Sequence, residues 1–117
     1  MFLYKTIVQT LVDNFQGVFS DDEINEYGDW PHVFFGDLFV PYVKNILLSG
    51  NTEEINFIFL FLENMANSRD DEVRNLLQVS VLESLMSDKQ TFVLLKKNMG
   101  ESTFSIYEDI LKYLKVK

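Results

Sequence analysis

The chain has no cysteine. That excludes a disulfide framework and every thiolate metal site, and it suits a reducing compartment. Histidine occurs once, at His32. With no second His and no ligand spacing around it, neither a zinc site nor a catalytic base is expected there. There is no phosphate-cradling Gly-rich loop, no nucleophile elbow and no H-E-x-x-H. Long apolar runs are absent too. The longest, residues 33–48, contains Asp37, Pro41 and Lys44, and it falls short of the ~20 residues that span a bilayer. The first fifteen residues lack the charged, apolar and small-residue regions of a signal peptide. A cytoplasmic protein with no cofactor, no metal and no enzymatic activity is therefore expected.

Basic residues are scarce over most of the chain. Residues 1–88 carry fifteen acids against four Lys or Arg, a net of −11, whereas residues 89–117 carry six Lys against three acids. Such an acidic body repels phosphate and anionic lipid, so neither nucleic acid nor membrane is an expected partner. It attracts basic proteins instead. The alternative is that the acids serve solubility alone.

What the chain has in abundance is phenylalanine, eleven of seventeen aromatics in 117 residues. One all-α domain over residues 1–117 is expected, with a Phe-rich core. Its pivot is the stretch EEINFIFLFLENMA, residues 53–66. On a helical wheel Ile55, Phe57, Ile58, Phe59, Phe61, Leu62, Met65 and Ala66 cover roughly 200°, with Leu60 among the polar residues. A helix apolar over that arc needs neighbours on at least two sides. Thr52 is the expected cap, and Gly50 ends the helix before it.

Around this pivot the pattern gives an amphipathic helix over residues 2–15 and one running from Pro31 to about Leu48, with Pro41 expected to kink it. Another opens after Asp70, a short basic one spans residues 89–98, and a last one covers residues 102–114. In the last, Glu108 and Lys112 are spaced to pair, and Lys112, Lys115 and Lys117 suit the negative end of the helix dipole. Glu83 projects between Leu76 and Val79, and an exposed position at a groove edge is the favoured reading. A bundle of five to six helices follows, with HEAT-like antiparallel pairs as one form of it.

The candidate binding residues lie between Ser20 and His32. Asp21, Asp22, Glu23, Glu26 and Asp29 form the densest acidic cluster. Their spacing does not fit a calcium loop. Ser20 and Glu23 match a capping box, so a short surface helix with an acidic ridge is expected. Asp29 is placed to cap the next helix ahead of Pro31. Trp30 has two readings, a hydrophobic staple or a binding anchor beside the acids. His32 orders the helix start or joins the same surface. Asp21, Asp22, Glu23, Glu26, Asp29, Trp30 and His32 thus make up the expected partner-binding set.

Three runs carry a resemblance: WPHVFFGDLFVPYV at residues 30–43, FLENMANSRDDEVRNLLQVSVLESL at 61–85, and Met-Gly at 99–100. They resemble a family of short, acidic, all-helical bacterial proteins with no assigned activity. That family is in turn similar to the small helical immunity proteins found beside polymorphic or contact-dependent growth-inhibition toxins. The resemblance spans about three quarters of the chain and contains no catalytic motif, so it implies no catalytic residue. It implies an immunity protein whose partner is a cognate basic toxin domain of nuclease type, with the active site covered on binding. The alternative is a non-catalytic helical scaffold or adaptor.

Overall fold

Helices pack around a core in which Phe34, Phe35 and Phe39 are completely buried. The computed structural model describes residues 2–115, with side chains through Leu114, so Lys117 lies outside the described residues. Among the described residues there are seven helices and no strand. These are α1 (Ile7–Asn14, opened by a 3₁₀ turn at Tyr4–Thr6), α2 (Asp21–Tyr27) and α3 (residues 31–49). Next come α4 (Thr52–Ala66), α5 (residues 71–86), α6 (Lys89–Leu95, closed by a 3₁₀ turn at Lys96–Asn98) and α7 (Glu101–Lys115). The all-α expectation holds, but the count of five to six is too low. The two shortest pieces stand as separate helices because each has its own cap, Ser20 for α2 and Asp88 for α6.

Pro41 does not break α3. In α geometry its ring would press on the carbonyl one turn back. The helix instead widens immediately ahead into a π turn, Phe34–Phe39, closed by a bond from the Val40 N–H to the Phe35 carbonyl. Helix α5 contains a second π turn, Leu77–Leu82, closed by the Glu83 N–H on the Gln78 carbonyl. The two wide turns pack on each other where α3 crosses α5. The helices are close at Gly36: a methyl group there would just touch the Ser80 carbonyl oxygen, at 3.7 Å, leaving no room for a larger side chain. Ser80, small and buried, answers from the other side.

Helix α4 is the pivot expected of it. Ile55, Ile58, Phe59, Phe61, Leu62, Met65 and Ala66 are buried, and Leu60 is 58% exposed. Phe57 departs from the expectation, being 45% exposed with one edge against Phe15 at 5.2 Å between centroids. The apolar arc is wider than the neighbours available to cover it. Asn51 is the cap rather than Thr52, its Oδ1 accepting from the Glu54 N–H at 3.2 Å. Gly50, at φ 73°, supplies the left-handed residue that turns α3 into α4.

Helix α5 starts where Asp70 Oδ1 accepts from the Glu72 N–H at 3.0 Å. Val79, within this π turn, lies exposed. Glu83 is exposed. On α7, Tyr107 and Ile110 are buried, but Tyr113 and Leu114 extend past the core and are exposed. The ion pairs among the described residues are Lys44–Asp88 and Arg74–Asp71, so Glu108 and Lys112 do not pair.

Candidate protein-binding face

Helix α2 is short, and its capping box fixes it. Ser20 Oγ accepts from the Glu23 N–H at 3.1 Å, while Glu23 Oε1 accepts from the Ser20 N–H at 2.9 Å. Ile24 and Tyr27 pack half-buried against the core and hold one side of the helix down. The opposite side presents Asp21, Asp22 and Glu26 to solvent, and Asp29 is exposed just beyond the helix end. Glu23 is half-buried and used by the cap. Neither ion pair among the described residues involves the four exposed carboxylates. No contact ion pair neutralises them, and the exposed Lys5 lines the same groove as Asp29.

Trp30 follows at once and is 64% exposed. It, not Asp29, is the N-cap residue of α3, and it caps without a side-chain hydrogen bond. Its backbone N–H donates to the Tyr27 carbonyl at 3.0 Å and its own carbonyl accepts from the Phe34 N–H at 2.8 Å. The backbone is thus fixed while the indole stands out of the core. A staple would have packed it away.

Beside Trp30 runs an open groove of about 530 Å³. One wall is the start of α1, from Tyr4 to Gln9; the other holds Ile24, Gly28, Asp29 and Pro31. Trp30 lies between two residues of that second wall. The first wall is pinned by two long-range bonds. The Tyr4 N–H donates to Asp70 Oδ2 at 2.8 Å, and Ser68 Oγ donates to the Phe2 carbonyl at 2.6 Å. Burial, and then the nearby Glu72 carboxylate, push the Tyr4 phenol above its ordinary value. It remains a neutral hydroxyl, able to donate or accept at the groove.

His32 takes a different part. Its Nδ1 lies 2.5 Å from Ser80 Oγ, and its half-buried ring sits 6.2 Å from that of Tyr4. It braces the start of α3 against the π turn of α5. Of the seven expected residues, the structure brings Asp21, Asp22, Glu26, Asp29 and Trp30 onto one exposed stretch. Glu23 and His32 are half-buried, in hydrogen bonds of their own.

Composition gave no sign of the groove, because its walls come from segments about twenty residues apart. Glu63 was also missed. Read as one of the polar residues of α4, it is half-buried and receives the first amides of α7, Ser102 and Thr103. A signal existed: the last helix opens Gly100-Glu101, with no side chain at its start suited to capping it. Among the described residues, no three His, Asp or Glu side chains converge as a metal-binding group, and no helix is long and apolar enough to cross a membrane.

A family model described as a domain of unknown function, DUF7674, matches residues 8–115. The chain belongs to that family. The match takes in the acidic helix, Trp30, both π turns and all of α7. No curated protein and no solved structure matches the chain.

Proposed function

We propose that the chain is a protein-binding module, and specifically an immunity protein that neutralises a basic, nuclease-type toxin domain by covering its active site. One observation carries this reading: four exposed carboxylates outside the ion pairs among the described residues and an exposed Trp30 fall within residues 21–30, and one of them, Asp29, lines an open groove. A nuclease must hold phosphate with a cationic surface, so a carboxylate ridge matches the charge its substrate presents. The indole adds a large, rigid contact at low entropic cost, the type of residue that anchors interfaces. The groove offers a recess for a side chain of the partner. Such a protein would act in the cytoplasm, as one domain.

We read the finer architecture as HEAT-like antiparallel pairs. The connections of two residues between α3 and α4 and of four between α4 and α5 support this, since short links favour antiparallel neighbours. The function is tested by titrating the chain against the toxin domain encoded beside its gene, with nuclease activity and survival of toxin-exposed cells as readouts. Stoichiometric inhibition and rescue are expected. A neighbouring toxin that the chain neither binds nor inhibits would overturn the proposal, as would the lack of any such neighbour.

A further inference from the structure

The outer side of α4 is unlike the rest of this acidic surface. From Asn56 to Asn67 every exposed residue of the segment is an asparagine or a large apolar residue: Asn56, Phe57, Leu60, Asn64 and Asn67. At 100° per residue all five fall within about 60° of Leu60. No charged side chain of this segment is exposed; Glu63 is half-buried and held by α7. A hollow flanks the ridge on each side. One, about 340 Å³, is lined by Phe2, Asn64, Asn67 and Ser68; the other, about 260 Å³, includes Leu60, Glu63, Met99 and Gly100.

We propose that this face pairs with the same face of a second copy of the chain, the two α4 helices crossing antiparallel with Leu60 on the two-fold axis. The order of residues is what singles out a second copy. Asn56 and Asn64 lie one turn before and one turn after Leu60, so a two-fold axis through Leu60 sets Asn56 of each copy against Asn64 of the other. An amide carries both donors and an acceptor, so two facing amides satisfy each other. Farther out, the same axis brings Glu53 of one copy toward the Asn67–Arg69 end of the other, acid toward base. A parallel pairing would set Glu53 against Glu53. The same patch on both copies makes the contact, as an isologous interface requires. Charge supports the same choice. At net −8, two copies repel over most of their surfaces, and this face, where the carboxylate of Glu63 is half-buried and held by α7, is where they can approach. The residues involved are separate from the acidic ridge, so this pairing and the toxin-binding proposal can fail independently.

A face one helix wide is smaller than the about 1,200–2,000 Å² of a standard interface, so the association is expected to be weak and concentration-dependent. Sedimentation velocity on the full chain, over a concentration series, tests it. The weight-average sedimentation coefficient should rise toward that of a dimer. Leu60→Glu, which sets like charges together on the axis, should abolish the rise and leave the thermal unfolding profile unchanged. Two double variants, Asn56→Asp with Asn64→Asp and Asn56→Lys with Asn64→Lys, should each stay monomeric alone and dimerise when mixed. The proposal is overturned by a wild-type chain that stays monomeric to its solubility limit. Dimers that survive Leu60→Glu would equally overturn it, as would a mixture that does not associate.

Discussion

The Glu63 carboxylate holds Thr103 from forty residues away: Oε1 accepts from the Thr103 N–H at 2.9 Å and from its hydroxyl at 2.8 Å. Oε2 takes the Ser102 N–H at 2.9 Å. A side chain of α4 therefore caps α7 across the bundle, satisfying amides that a helix start leaves without partners. Gly100 is part of the arrangement, since a methyl group there would lie 2.5 Å from the Glu63 carboxyl carbon.

This cap makes the docking of α7 sensitive to acid. Burial alone would raise the Glu63 carboxyl, but the hydrogen bonds from Thr103 and Ser102 outweigh it and hold the group below its ordinary value. A depressed folded-state value stabilises the fold above the unfolded-state value, and that contribution is lost as pH falls through the folded one. Glu63→Ala should cost about 0.5–2 kcal/mol near neutrality, in the range of a lost helix cap. Denaturant midpoints of wild type and variant should converge as pH falls below the ordinary carboxylate range. A gap that stays constant into acid would mean the carboxylate charge is not what holds the helix.

Helix α4 should show the sharpest contrast between adjacent residues. Phe59 and Phe61 are 4% and 3% exposed, and each replacement by Ala should cost about 3–5 kcal/mol. Leu60→Ala should stay within about 0.5 kcal/mol, as exposed positions do. Phe57→Ala should fall between, because it removes one edge contact with Phe15. Urea midpoints decide the order. Leu60 as the costliest of the four would rotate the helix away from the arrangement described.

These contrasts show which features the amino-acid order carries. The Ser20–Glu23 box and the Gly50 turn are local, so three or four residues suffice to specify them. The amphipathic stripe of α4 is local as well. Whether Phe57 is covered depends on how far Phe15 reaches over it, and periodicity holds no trace of that. The same applies to Glu63 with Thr103 and to His32 with Ser80, forty and forty-eight residues apart. A π turn also shifts the register of everything after it, which a wheel drawn at 100° per residue does not anticipate. The exposure of Asp21, Asp22 and Glu26 was legible because a capping box and two apolar anchors fix how a short helix is turned. The groove beside them was not, since the Phe2–Tyr4 wall is held there by bonds to Ser68 and Asp70, in the connection between α4 and α5.

The contact between α3 and α5 should behave as one unit. His32→Ala leaves the buried Ser80 hydroxyl without its ring partner, and should cost about 1–3 kcal/mol. Ser80→Ala and the double variant complete a cycle, with an interaction energy of about 0.5–3 kcal/mol expected for groups in direct contact. Gly36→Leu forces the two π turns apart and should cost about 1–3 kcal/mol through overpacking. Additive losses at His32 and Ser80, measured by chemical denaturation, would mean that the hydrogen bond contributes nothing to stability.

The acidic ridge and Trp30 should affect different steps of binding. Reversing Asp21, Asp22 and Glu26 to Lys changes the local charge by +6, yet all three are exposed, so stability should change by no more than about 0.5 kcal/mol for each. Steering acts before contact. Association with a basic toxin domain should therefore slow by about 10- to 1000-fold at low salt, with a flatter dependence on ionic strength. Trp30→Ala removes a contact made only in the complex, so its effect should fall on dissociation. Stopped-flow association and surface-binding dissociation rates separate the two. If the triple reversal associates as fast as wild type, the ridge has no steering role. If Trp30→Ala dissociates no faster, the indole is not an anchor, and the groove beside it loses its most exposed neighbour as a reason to be an interface.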